Sequence, residues 1–430
     1  MSSAVTEQIR KEYGAVHAAL PASVIEPARR AEAIERLCAQ GLPATREENW
    51  RYTNLRVLEH ARFAPVETPS QAVPPLPQAL PGFVRYVFVD GLLRSGAAGS
   101  HPGLTVRSLR TPGPSSSATW GPCPDVPEAR LALLNEAFAT DALLIEAHAN
   151  AAPAAIELVF AGNAGAQAGA SYPRVHVVLE AGAELTVLER HMGAPEAASL
   201  VNSAVRADVG ENARLTHYRL QQCAPRTAWF DTLTAQLAAQ ARYHLLTVGT
   251  GALTARSTVH VRLAGAGAEL ALSAAALADR QQSHDMYALS EHVAPNTRTT
   301  ETFRGIASGR ARVAFNGKIA VRERAGGSDS RQSLRGLLDG PEAEVDLRPQ
   351  LEIYTDEIRC SHGATAGKLD QNMLFYLLSR GIAPQTAQHL LKWAFLEDVV
   401  ARIECAELRR QIERDLASQM SAAATLKELL

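Results

Sequence analysis

The sequence predicts a mainly β protein whose centre is a β-solenoid held between N-terminal and C-terminal helical regions. Three observations carry that reading. First, a short pattern recurs: Ala, a charged residue, an apolar residue, a variable one and usually another apolar one. It occurs as Ala183-Glu184-Leu185-Thr186-Val187, Ala213-Arg214-Leu215-Thr216-His217, Ala241-Arg242-Tyr243-His244-Leu245, Ala268-Glu269-Leu270-Ala271-Leu272, Ala311-Arg312-Val313-Ala314-Phe315 and Ala343-Glu344-Val345-Asp346-Leu347. The starts lie 30, 28, 27, 43 and 32 residues apart, a period that suits stacked repeats too small to bury a face alone. Second, Val175-His176-Val177-Val178-Leu179 and Ser257-Thr258-Val259-His260-Val261-Arg262-Leu263 alternate instead of placing apolar residues every third or fourth position, so the repeats are strands and not helices. Third, aromatic residues are only 5% of the chain, as in a core stacked from Leu, Val and Ala. Small residues before the strands, as in Ala181-Gly182-Ala183 and Gly265-Ala266-Gly267-Ala268, allow tight corners.

The other elements follow in order along the chain. Residues 1–60 are rich in Ala, Glu and Arg, with Ile34 and Leu37 in a helical setting between Pro27 and Gly41, and read as mostly helical. Residues 65–81 hold six prolines and form a linker or extended strap. Arg85-Tyr86-Val87-Phe88-Val89-Asp90-Gly91 restarts as a strand ending in a turn. Residues 111–127 read as a loop and 131–139 as a short helix. The solenoid is expected over 142–362, with 1–141 as an N-terminal region and 363–430 as a C-terminal helical domain. In the latter, Leu369, Met373 and Leu377 share one helix face, and Arg380-Gly381 suits its end. Pro384 starts a second helix, in which Ala387, Leu391, Phe395, Val399 and Ile403 recur on one side.

Bulk properties exclude several functions. With 43 Lys and Arg against 45 Asp and Glu, the chain has no basic field to hold nucleic acid. Charges interrupt the first twelve residues and no apolar stretch reaches bilayer length, so the expectation is a soluble cytoplasmic protein. Cys38, Cys123, Cys223, Cys360 and Cys405 are scattered and odd in number, which argues against a disulfide framework or a self-contained zinc or iron-sulfur centre. Asn316-Gly317-Lys318-Ile319 lacks the spacing and the Ser or Thr of a phosphate-binding loop.

One segment stands out chemically. Leu351-Glu352-Ile353-Tyr354-Thr355-Asp356-Glu357-Ile358 reads as a strand running into Cys360-Ser361-His362-Gly363-Ala364-Thr365, so the segment is expected at a strand-to-helix junction. Residues two apart on a strand share a face, which lets the Cys360 sulfur and the His362 imidazole meet one metal or one partner surface. A buried strand cysteine is the plainer reading of Cys360, and two ligands are not a metal site. His284 and His292 lie in a polar stretch inside the 43-residue interval, as a loop or a polar ladder on a solenoid face, and are weaker metal candidates. His176, His217, His244 and His260 fall in strands, as surface or hydrogen-bonded positions.

Several strings together resemble the SufB/SufD family of iron-sulfur cluster assembly proteins. They are Glu47-Glu48-Asn49-Trp50-Arg51-Tyr52-Thr53, Gly309-Arg310-Ala311-Arg312-Val313-Ala314-Phe315-Asn316-Gly317-Lys318, Pro349-Gln350-Leu351-Glu352-Ile353-Tyr354, the 360–365 segment, Leu369-Asp370 and Phe375-Tyr376-Leu377-Leu378-Ser379-Arg380-Gly381-Ile382. The Cys-Ser-His-Gly-Ala-Thr string and the shorter N-terminal region fit the SufD branch better than SufB. The resemblance implies a right-handed β-helix core and a non-enzymatic subunit that pairs with SufB and docks the ATPase SufC, and it leaves open whether the isolated chain forms a homodimer. It implies that His362, with Cys360 as a secondary ligand, lies at the SufB interface, where iron or a nascent iron-sulfur cluster sits on thiolates from SufB. It places SufC on residues 369–395, with Leu369, Asp370, Phe375, Tyr376, Arg380 and Gly381 as docking candidates, and no cofactor held stably by this chain alone. Two rivals are a carbohydrate-active β-helix enzyme, disfavoured by dispersed carboxylates, and a self-associating structural solenoid.

Overall fold

The computed structural model describes residues 2–66, 73–96, 99–101, 103–110, 126–163 and 169–420. Most of the expected 111–127 loop, part of the 65–81 strap and Cys123 lie outside the described residues.

Among the described residues, twenty strands follow one another in two sheets. The first eight are β1 (Val84–Val89), β2 (Leu92–Ser95), β3 (Gly99–His101), β4 (Leu104–Ser108), β5 (Leu143–Ala147), β6 (Ala154–Gly162), β7 (Arg174–Leu179) and β8 (Glu184–Gly193). The next six are β9 (Leu200–Val209), β10 (Arg214–Gln222), β11 (Ala228–Leu237), β12 (Arg242–Gly249), β13 (Thr254–Leu263) and β14 (Glu269–Ala278). The last six are β15 (Ser283–His292), β16 (Arg298–Ser308), β17 (Arg312–Val321), β18 (Ser328–Asp339), β19 (Glu344–Ile353) and β20 (Ile358–Gly367). One sheet runs β2-β1-β6 and then through the even strands to β20; the other runs from β19 down the odd strands to β5, then β4 and β3. Pairing between successive turns is parallel, so the chain climbs one rung each time it crosses from sheet to sheet. The expected solenoid is confirmed, and its sheets reach beyond 142–362, from β1 at residue 84 to the end of β20 at 367.

The corners explain the small residues. Each strand from β8 to β18 in the even sheet is preceded by one left-handed residue, and these are Gly182, Asn212, Gln240, Gly267, Asn296 and Gly327, with φ of 74, 55, 56, 70, 58 and 76°. Glycine meets that demand without strain, and side-chain amides tolerate it. The corners advance evenly, so the expected 43-residue gap is no gap. It holds a complete rung, β15 and β16, and the Ala-charge signatures at 311 and 343 belong to the opposite sheet, opening β17 and β19. The signature is missing from β16 because Thr299 and Glu301 stand where Leu270 and Leu272 stand one rung earlier.

Inward side chains of both sheets make the main core, including Leu185, Leu215, Tyr243, Leu270 and Leu272 from the even sheet and Val205, Leu233, Val259 and Val313 from the odd one. At about 1.5–3 kcal/mol for each large apolar side chain buried, this stack dominates the stability. Helices pack on the outer faces. The N-terminal helices α1 (Ser2–Val16) and α2 (Pro27–Gln40) and the short α3 (Ala132–Phe138) share a cluster with Leu200, Ala228 and Phe230 on the odd sheet. Arg30 is buried and ties α2 to α3 by donating to the carbonyls of Ala137 and Ala139 at 2.9 Å each. The Glu48-to-Thr53 string lies along the same face: Trp50 is buried under the Arg256 guanidinium at 4.4 Å, and Asn316 Nδ2 donates to Asn49 Oδ1 at 2.7 Å.

The C-terminal helices are α4 (Gln371–Ser379), α5 (Pro384–Val400) and α6 (Ala406–Gln419). Leu396, Val399, Val400 and Ile403 bury against Leu220, Leu246, Ala275, Leu277, Ile306 and Leu337 on the outside of the even sheet, and Leu80 from the proline-rich strap joins them. Arg304 Nε donates to Asp398 at 2.8 Å and Lys392 Nζ to Asp339 at 2.6 Å, fastening α5 to β16 and β18. Among the described residues no helix is long and apolar enough to cross a membrane.

Candidate functional site

Cys360 and His362 lie inside β20 and not at a strand-to-helix junction. The strand expected over 351–358 ends at Ile353, a turn follows, and β20 continues to Gly367. Their register explains the pair. In the even sheet one inward column reads Leu215, Tyr243, Leu270, Thr299, Ser330, Cys360 and its neighbour reads His217, Leu245, Leu272, Glu301, Gln332, His362. The two candidates therefore occupy two adjacent inward slots of the last rung. No strand follows β20 in its sheet, so this face is left open: Cys360 is half-buried against Ile319, Val321 and Leu351, and His362 is exposed.

The slots beneath them are polar and buried. His292 Nε2 is hydrogen-bonded to Ser330 Oγ at 2.9 Å and its Nδ1 to Thr297 Oγ1 at 2.7 Å, and Ser330 is the register neighbour of Cys360. Gln332 Nε2 and Ser290 Oγ each donate to Glu301, both at 2.6 Å. Burial pushes the Glu301 carboxyl up despite those two bonds. It pushes the His292 imidazole down to about 4. Burial also raises the Cys360 thiol, against the Ser330 hydroxyl, which favours the thiolate. Among the described residues no three His, Cys, Asp or Glu side chains converge as a metal-ligand set.

A second polar cluster lies deeper. Arg219 donates to both Asp231 oxygens at 2.7 Å and through Nε to Glu189 at 2.7 Å. His217 bonds the Tyr243 hydroxyl at 3.0 Å. Burial drives the Glu189 carboxyl up, but Arg219 and the two neighbouring histidines outweigh it and hold the carboxylate well below the usual range. Beside it a cavity of about 70 Å³ is lined by His191, Gln221, Trp229 and His284. His284 is an inward side chain of β15: its Nε2 donates to the Gly251 carbonyl at 2.7 Å, and burial lowers it to about 4. His292 is inward too, at the other end of the same strand, so neither weaker candidate is a loop residue.

Comparison with known proteins fits these elements. Residues 160–395 match the family described as SUF system FeS cluster assembly, SufBD core domain. The iron-sulfur cluster assembly protein SufD of Escherichia coli is 30% identical over 404 residues, covering 91% of this chain and 92% of that protein. The chain belongs to the SufB/SufD family. Within that family it is SufD-like, and it is also 28% identical over 411 residues to a SufBD family protein of Synechocystis, covering 90% of this chain and 89% of that one. A chloroplastic protein of Arabidopsis thaliana, ABCI7, is 30% identical over 245 residues, 56% of this chain and 51% of the relative.

The docking candidates of this SufB/SufD chain sort by role. Asp370 caps α4 by accepting from the backbone N–H groups of Asn372 and Met373 at 2.8 and 3.2 Å, and Gly381 ends it with φ of 81°. Leu369 packs against the cluster under α5. Phe375 is 71% exposed and Tyr376 54%, with Arg380 stacked on the Tyr376 ring at 5.1 Å. Met373, at 54%, extends the apolar surface of α4. Sequence reasoning found the pair but missed Glu301, Ser330 and Gln332. The repeat itself is the signal that would have shown them, once polar residues are allowed in its inward slots.

Proposed function

We propose that this chain is the SufD-type partner in a scaffold that builds iron-sulfur clusters, pairing with SufB and docking the ATPase SufC. The supporting observation is that Cys360 and His362 stand side by side in the last inward slots, at an edge with no further rung, as half of a ligand set. The substrate is iron or the growing cluster, and the missing ligands come from thiolates across the interface. A neutral imidazole binds a cation without first giving up a proton, whereas a thiol must lose one. Burial holds the Cys360 proton on, so His362 is the leading ligand and Cys360 follows when a cation is already near.

SufC is read onto the exposed apolar surface of α4, at Phe375 and Tyr376. The ion pairs from α5 to β16 and β18 give a rigid route from that surface to the strands under the pair. On this reading the chain scaffolds and does not catalyse. The test is His362→Ala in the coexpressed three-protein complex, assayed for iron and acid-labile sulfide. We expect iron content to fall about tenfold or more with assembly intact; a normal iron and sulfide content removes His362 from the function.

A further inference from the structure

The inward columns are apolar at Leu270 and Leu272 and then turn polar in the two rungs before the pair, Thr299 and Glu301, then Ser330 and Gln332. Burying such groups costs stability relative to leucine, even when they are hydrogen-bonded. Stability therefore does not account for them. Their bonds leave one acceptor unused beneath β20. Gln332 is 4% exposed, and its Nε2 is fixed on Glu301 Oε2 at 2.6 Å, which Ser290 holds from the other side. That leaves the Gln332 Oε1, a buried acceptor, with no hydrogen-bond partner among the described residues. The next side chain along the column on the same face is His362. Parallel neighbours stand about 4.8 Å apart, a spacing an amide oxygen and an imidazole N–H span. Space is kept for the amide as well: a Cβ on Gly317 of the facing sheet would come within 2.2 Å of Gln332 Nε2 and 3.0 Å of Glu301 Oε2.

We propose that Gln332 is a positioning residue for His362: when the exposed imidazole turns onto the unused Oε1, that oxygen accepts one ring N–H, so that a single tautomer holds the other nitrogen's lone pair toward the open edge. Glu301 and Ser290 fix the amide, and Ser330, bonded to His292, stands beneath Cys360 in the neighbouring column. A ligand imidazole tied through its second nitrogen keeps its orientation and gains basicity. The inference deepens the proposed role of His362 and rests on it for its purpose, but not for its geometry.

The test labels histidine with ¹⁵N in the full-length chain, assigns His362 by comparison with His362→Ala, and reads its ring nitrogens at neutral pH. The wild type is expected to show one tautomer. Q332L and Q332M, which lack the acceptor, are expected to show a mixture, and Q332E, which keeps an oxygen there, to restore the single form. The same variants coexpressed with SufB and SufC are expected to lower iron content about tenfold for Q332L and Q332M and less for Q332E. An unchanged tautomer in folded Q332L and Q332M overturns the positioning role, as does a mixture in the wild type. A shifted tautomer with normal iron in both Q332L and H362A leaves the geometry standing and removes the functional reading instead.

Discussion

Two polar patches sit inside one apolar stack, and they are built on opposite principles. The deeper one is closed around a cation: Arg219 satisfies Asp231 and one Glu189 oxygen, the other Glu189 oxygen faces His217 Nε2 at 3.4 Å, and His217 bonds Tyr243. The one at the open end contains no Arg or Lys and ends on a buried acceptor, Gln332 Oε1, below an exposed imidazole. A closed ion cluster holds rungs together and becomes costly only when a member is lost. A chain with no cation and an open end does little for stability and is suited to hold something at its tip. The contrast separates a structural network from a functional one by where the last bond points.

Four changes would break or sharpen that contrast, taken from the largest expected effect. Arg219→Met leaves two buried carboxylates unpaired, and urea unfolding should show a loss of about 3–5 kcal/mol. A loss under 1 kcal/mol would mean that the closed patch is not closed.

Acidification is expected to act through the neutral imidazoles. His284 and His292 are held near 4 in the folded chain against an ordinary value of 6.5, so the unfolded chain takes up protons that the folded one refuses. The stability they allow is present above pH 6.5 and is lost as pH falls toward 4, by about 1.4 kcal/mol per pH unit for each imidazole when both are fully engaged. Glu301, whose carboxyl is raised by burial, works the other way, since the folded chain keeps its proton above the unfolded value. His292→Asn should flatten the decline measured by urea unfolding across that window, and E301Q should steepen it. Equal slopes in all three chains would count against both assignments.

Gly317→Ala drives a methyl group into the Gln332 amide and should cost about 1–3 kcal/mol in thermal or urea unfolding, while also loosening His362. Smallest is the double variant E301L/Q332L, which extends the Leu272 column to the end of the solenoid. With Ser290→Ala added, so that no buried hydroxyl is stranded, it should match the wild type in stability within about 1 kcal/mol, because all the hydrogen-bond partners are removed together, yet lose the iron of the complex. If it were severely destabilised, the open-ended patch would be structural after all.

Much of this was readable in advance, and the failures share one cause. The strands of the solenoid, the two C-terminal helices with Pro384 at a start and Gly381 at a stop, and the strap across the even sheet all follow from local composition and spacing. The repeat is legible only while its inward slots are apolar, so Thr299 and Glu301 hide a rung, and the next matching signature, at Ala311, belongs to the opposite sheet. The same blindness placed Cys360 and His362 at a junction, although they fill the slots that Leu270 and Leu272 fill three rungs earlier in the same columns. Apolar periodicity reports the faces that stability requires. Where polar side chains take those slots, the period survives in the corners, here the left-handed residues at 267, 296 and 327.

The clasp between α5 and the even sheet has a mechanical consequence. Stacked rungs unzip from their ends, since each is held only by its neighbours. Asp398 and Lys392 rivet β16 and β18, while β20 hangs on β18 alone along its sheet. Amide hydrogen exchange should therefore rise sharply from β18 to β20, leaving the two ligands on the most compliant strand of the even sheet, where binding of a partner or a cation stiffens a hinge leaf instead of deforming a wall.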